Sequence, residues 1–316
     1  MNAVHPASAA TGVGLSLAAS ALFALLYYYA SLLSSLGSWQ VYGWRIAMTF
    51  PLLTLFLLLR GQGAQLRSLC LRMGARPALW VLLPLSSLLL GVQLWLFVWA
   101  PIHGHALDVS LGYFLLPLTL VLTGRLFYRE LLSRWKLVAS LLATIGVAHE
   151  LTGLSQASWP VFVVALGFPA YYMLRRHLET DNLAGLWLDM ALSLPVALYA
   201  ALGVVPAASG EADVSGFGMG LWLAVLGLGL VSTAALLAMI AASQSLPLAL
   251  FGLLSYVEPL LLVAVAVLIG ERIDVGRWPT YLAIWAAVMT LCTEALVNRV
   301  YVSRLPSPGG RARARG

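Results

Sequence analysis

Charge is what this chain has least of. Only 9% of its 316 residues are Asp, Glu, Lys or Arg, while 61% are hydrophobic; a soluble domain carries roughly 25% charged residues. That balance excludes a water-soluble fold and points to an integral membrane protein. There are two cysteines, Cys70 and Cys292, each in or beside an apolar run. They exclude a disulfide framework and offer no metal site. No phosphate-cradling Gly-rich loop ending in Lys-Ser or Lys-Thr is present, which excludes direct drive by ATP. His-Glu-x-x-His is absent, and no two aspartates sit on adjacent apolar runs, so an enzyme is not expected and no cofactor is implied. The start, MNAVHPASAATG, lacks a basic segment, so no cleaved signal peptide is expected. The formal net charge is +6, but the basic residues fall in turns between apolar runs, which is a topological pattern and not a nucleic-acid footprint.

What is present is apolar sequence in long runs. A spanning helix needs about 20 mostly apolar residues. Ten runs qualify, at about 12–33, 39–60, 77–100, 107–127, 134–151, 158–175, 184–205, 219–244, 248–269 and 278–299. The predicted fold is all-α, with ten transmembrane helices joined by short connections. Lys and Arg favour cytoplasmic loops. Arg60, Arg67, Arg72, Arg76, Arg125, Arg129, Arg134, Lys136, Arg175, Arg176, Arg299, Arg304, Arg311, Arg313 and Arg315 fall on one side, and Arg272 and Arg277 on the other. Both termini are therefore expected in the cytoplasm. The tail 304–316 is expected to be a disordered basic coil.

The runs repeat. Pro117 and Pro259 stand 142 residues apart, each after an aromatic group (Tyr113-Phe114 and Tyr256); Trp135 and Trp278 stand 143 apart. At an offset of 144, Tyr27-Tyr28 falls on Tyr171-Tyr172, Pro51 on Pro195 and Arg45 on Asp189. This predicts two five-helix repeats, 1–152 and 153–303. An odd number of spans forces the second to enter the membrane from the opposite side. Inverted repeats of this kind recur in secondary transporters, with the substrate site near the midplane between halves.

The Trp95–Ala100 segment, His103 to Asp108, Ser110-Leu111-Gly112-Tyr113-Phe114 with Pro117, Gly270-Glu271-Arg272 and the Trp285 region carry a likeness. With these residues the chain resembles the drug/metabolite transporter superfamily in its EamA-type ten-helix form, and is similar to the RarD branch, named for chloramphenicol sensitivity. The resemblance covers about residues 12–300. It implies a bacterial inner-membrane transporter, with spans 1–4 and 6–9 around a central cavity and spans 5 and 10 peripheral. Members mostly export small organic metabolites, amino acids or drugs. The sequence departs from these relatives at Tyr27-Tyr28-Tyr29 and at Glu258.

Several polar residues fall inside spans, where charge is expensive. Arg45 either snorkels to the nearer interface or serves a site or gate. Asp189 is either stabilised by a helix N-terminus or is a proton- or substrate-linked carboxylate. Inversion would place the two at opposite depths. Glu258 precedes Pro259 in span 9, and is either a packed, protonated acid or a cavity carboxylate. It and Asp189 are the candidates for proton coupling. Tyr28, Gln93, Tyr113, Tyr172 and Tyr256 join Arg45 as cavity candidates, with core packing as the alternative for the tyrosines. Pro117 and Pro259 are candidate hinges. His103, His105 and Asp108 read as an exposed outer turn, metal binding there being weakly signalled. The expected partners are a small organic substrate, membrane lipid and, for a coupled carrier, protons. Nucleic acid is excluded, and a homodimer is left open. The competing readings are a lipid flippase and a structural membrane subunit.

Overall fold

The computed structural model describes residues 6–128, 133–152, 158–180, 182–203, 218–246, 251 and 254–304. Eleven α-helices account for nearly all of them. They are α1 (Pro6–Leu32), α2 (Gly37–Leu59), α3 (Gly63–Ala75), α4 (Leu79–Ile102), α5 (Ala106–Tyr128), α6 (Arg134–Thr152), α7 (Trp159–Leu178), α8 (Leu183–Ala201), α9 (Met219–Ser245), α10 (Val257–Leu268) and α11 (Trp278–Arg304). No strand occurs among the described residues. Six of the helices, α1, α2, α4, α5, α8 and α9, are long and apolar enough to cross a bilayer. A helix is the economical form for such sequence, because it satisfies its own backbone donors and acceptors where lipid offers none.

The predicted spans match helices closely, with two differences. The first is α3, a 13-residue helix that the sequence reading treats as a turn. At about 20 Å it is too short to cross a hydrocarbon core of roughly 30 Å. Leu69 is buried and Leu66 packs on the main core, while Arg67 and Leu71 face outward. Arg72 donates through Nη2 to the Leu178 carbonyl at 2.7 Å, which ties α3 to the end of α7.

The second difference lies in the predicted ninth span. Ser255 N donates to the Phe251 carbonyl at 2.9 Å, so a helical turn leads in. The chain turns at Ser255–Tyr256 and restarts as α10. Pro259 explains the position of this break. It has no amide to give to the Ser255 carbonyl, and its ring crowds that carbonyl. Glu258 therefore stands in the first turn of a helix and not in mid-helix. Pro117 falls within α5, but its side chain lies outside the described residues.

The helices pack in a defined set of pairs. α1 contacts α9 and α10; α2 contacts α8 and α9; α4 contacts α7 and α8; α5 contacts α7 and α10; and α6 packs chiefly on α11. α4 also touches α1 and α2. Close approach is made through glycine. A side-chain carbon at Gly43 would run into the Ala197 carbonyl and the Ala201 amide of α8, and one at Gly229 would meet Met48 of α2. The main buried cluster joins α1, α2, α4 and α9, and a second joins α5, α6 and α11 with Tyr256.

Candidate functional site

Among the described residues Arg45 is the largest fully buried side chain, at 2% exposure. It does not reach out to an interface. Its Nε donates to Ser232 Oγ of α9 at 3.1 Å, its Nη1 to the Leu94 carbonyl of α4 at 3.3 Å, and its guanidinium carbon lies 5.2 Å from the centre of the Phe97 ring. Three contacts from two helices, α4 and α9, thus fix the guanidinium plane. Its Nη2 makes no hydrogen bond with the described residues.

An aromatic wall continues from Phe97. Tyr113 of α5 meets Phe97 edge-on at 6.0 Å, Phe168 of α7 lies 5.6 Å from Tyr113, and Tyr172 stacks on Phe168 at 6.0 Å. Glu258 lies within electrostatic reach of both Arg45 and Tyr113, and Tyr172 within reach of Tyr113. Glu258 is half-buried, and no ion pair of 4 Å or less joins it to Arg45. Four sequence candidates, Arg45, Tyr113, Tyr172 and Glu258, are therefore brought together from α2, α5, α7 and α10.

The other candidates lie elsewhere. Gln93 sits in the α4–α7 seam, donating through Nε2 to the Val163 carbonyl at 2.9 Å and pressed against Gly167. It borders an apolar groove of about 420 Å³. Tyr28 lines a separate cleft of about 400 Å³ with Ser31, Pro101 and Leu268, where α1, α4 and α10 end. Tyr256 is buried in the second cluster with Phe114 and Tyr281.

Asp189 is held in its own network. Arg175 Nη1 lies 2.8 Å from Asp189 Oδ2, and the two side chains are 5% and 2% exposed. Tyr171 donates to the same oxygen at 3.0 Å and accepts from Arg175 at 2.7 Å. Arg175 Nη2 donates to the carbonyls of Thr180 and Asn182, clamping the α7–α8 turn. Ser87 of α4 donates to the Asp189 carbonyl at 2.7 Å and bonds Ser193 at 2.8 Å. Asp189 and Arg45 do not meet. Arg175 belongs to this network although the sequence reading counts it among loop residues. Its spacing of four from Tyr171, on one helix face, is the signal that was there to find.

A third cluster corrects the exposed-turn reading at Asp108, while His103 and Gly104 are exposed as expected. Asp108 is buried, 2.6 Å from Arg277 Nη2, 2.7 Å from His105 Nδ1 and 2.5 Å from Ser158 Oγ, which donates to it. Beside it, Glu271 accepts from the Ala106 and Leu107 amides, both at 2.7 Å. These amides are unpaired donors at the start of α5. Burial pushes the Glu271 carboxyl above its ordinary range, and the two amides pull it part of the way back. Glu271 was legible only as a turn acid.

No protein-family model matches the chain. Among curated proteins, it is 44% identical over 281 residues to the chloramphenicol-sensitive protein RarD of Pseudomonas aeruginosa, covering 88% of this chain and 92% of that one. It is 37% identical over 285 residues to an uncharacterized transporter of Haemophilus influenzae (90% and 94% covered), and 26% identical over 294 residues to protein RarD of Escherichia coli (93% and 97% covered). A solved crystal structure shares the fold with a TM-score of 0.53 at 18% identity, over 90% of this chain and 98% of that one. With near-full-length relatives at this identity, the chain belongs to the RarD-type family of transporters within the drug/metabolite transporter superfamily.

Proposed function

We propose that the chain is a bacterial inner-membrane secondary transporter that exports small organic metabolites or drugs by alternating access. In this reading ten spans form two inverted repeats, both termini are cytoplasmic, and the cavity lies where Arg45, Tyr113, Tyr172 and Glu258 meet. The observation that carries it is the origin of those four side chains: two come from α2 and α5 in the first half, and two from α7 and α10 in the second.

The packing supports the repeat. Setting α3 aside, exchange α1 with α7, α2 with α8, α4 with α9, α5 with α10 and α6 with α11. The pair α1–α9 then becomes α7–α4, α2–α9 becomes α8–α4, and α5–α7 becomes α10–α1, all of which occur. The pairs α2–α8, α5–α10 and α6–α11 map onto themselves. A two-fold axis in the membrane plane would produce this exchange. Glu258 is the proton-coupling candidate at the cavity, whereas Asp189 is committed to Arg175. The break at Ser255–Tyr256 is a hinge, and Pro117 is its counterpart in the first half.

The test is reconstitution. Purified protein in liposomes is loaded with a bacterial metabolite extract, with and without a proton gradient, and the species that leave are read by mass spectrometry. Selective efflux relative to empty liposomes supports the reading. Efflux matching that of empty liposomes leaves a structural subunit, and scrambling of labelled phospholipid in its place identifies a flippase.

A further inference from the structure

Arg45 is a buried cation whose described hydrogen-bond partners are all uncharged. Two of its nitrogens are used by fixed acceptors, Ser232 Oγ and the Leu94 carbonyl, and its face rests on Phe97. These contacts orient the guanidinium but do not neutralise it, because each acceptor is uncharged. A buried cation with no paired carboxylate is costly. Across the offset that relates the halves, the matching residue is Asp189, which is already paired with Arg175. Glu258 lies within electrostatic reach of Arg45 but stands beyond ion-pair distance. The Nη2 edge is left with donors in the planar geometry that a carboxylate or similar oxyanion accepts.

The surroundings narrow the ligand further. Phe97, Tyr113, Phe168 and Tyr172 follow one another in a chain of ring contacts that begins at the guanidinium, an aromatic lining that suits a planar apolar body. Glu258, in the same field, disfavours a second negative charge. We propose that Arg45 binds the single anionic group of an organic substrate whose planar apolar body packs against this aromatic wall. The assignment of substrate class rests on the transporter reading above, but the binding itself does not.

Benzoate, benzyl alcohol and benzylamine share one body and differ in charge. Their binding to purified protein in detergent is measured by calorimetry. Benzoate should bind about tenfold or more tightly than benzyl alcohol, the difference a charge-assisted pair makes, and benzylamine should bind no better than the alcohol. Arg45→Gln should abolish the preference for benzoate. Where that variant fails to fold, Ser232→Ala, which frees the guanidinium to rotate, should reduce benzoate affinity and leave benzyl alcohol unchanged. Equal binding of benzoate and benzyl alcohol overturns the proposal, as does a preference that survives both variants. Liposome efflux separates the two readings. Efflux confined to cations or neutral species keeps the transporter and removes the anion site. Benzoate binding lost in Arg45→Gln, without any efflux, keeps the site and removes the transporter.

Discussion

Arg175 and Asp189 form a buried ion pair, Nη1 to Oδ2 at 2.8 Å, at the turn that joins α7 to α8. Tyr171 and the carbonyls of Thr180 and Asn182 complete the coordination of the guanidinium. Removing one partner of such a pair strands the other charge. Asp189→Ala should cost about 3–5 kcal/mol and lower the melting temperature in detergent steeply. Arg175→Met combined with Asp189→Leu should recover much of the loss. If the single and double variants melt together with wild type, the pair does not hold the turn.

Glu271 offers a test with a sign in pH. Its folded-state carboxyl is raised above the ordinary value, chiefly by burial. The folded state therefore holds a proton at pH values where the unfolded state has lost it, and stability falls as pH rises through that window. Wild type should gain stability as pH is lowered from neutral toward the ordinary carboxylate range, and Glu271→Gln should show a flatter profile. Gln also has only one acceptor for two amides, so the variant should lose about 0.5–2 kcal/mol at neutral pH. Parallel melting curves against pH would remove the titration from Glu271.

Gly43 should tolerate nothing larger. Its neighbours across the α2–α8 seam are backbone atoms, which cannot swing aside. Gly43→Ala is expected to lower stability by about 1–3 kcal/mol, whereas Gly63→Ala, facing open space, should be neutral or slightly stabilising. The comparison is a paired thermal melt of the two purified variants.

Glu258→Gln keeps shape and a hydrogen-bonding head while removing charge. If Glu258 carries protons, the variant should bind substrate as wild type does but transport at a rate independent of pH. A wild-type pH profile in liposomes would make Asp189 the next carboxylate to test, and a proton-independent carrier the better mechanism.

Orientation is checked by reporter fusions. Those after residues 60, 130 and 178 and at the C-terminus should read cytoplasmic; those near 104, 153, 211 and 274 should read external. If 130 and 274 report the same side, the inverted repeat fails.

The apolar runs of about 20 residues revealed nearly every helix, because in this composition run length and helix length are the same quantity. α3 escaped detection because GAQLRSLCLRMGA mixes Gly, Gln and Arg with its leucines and is too short for a span. Arg45, Tyr113, Tyr172 and Glu258 were visible as polar groups in apolar surroundings, and the structure gathers them. Gln93 was equally visible, yet its neighbour is Gly167 in a seam, and polarity alone does not say which helix a face meets. Arg175 was read as a loop charge because it adjoins Arg176 at a helix end. Asp108 was misjudged, and the role of Glu271 went unseen, for a related reason: their partners lie far along the chain, and a turn acid carries no local mark of them.

The contact between Glu271 and the start of α5 also concerns time. Ala106 and Glu271 are 165 residues apart. At the usual pace of translation, on the order of ten seconds or more pass between the synthesis of one and the other. Throughout that interval the first turn of α5 has left the ribosome without the carboxylate that its amides will receive. The start of α5 therefore waits for its partner until most of the chain has been made. The start of α5 is thus finished by a residue from late in the chain.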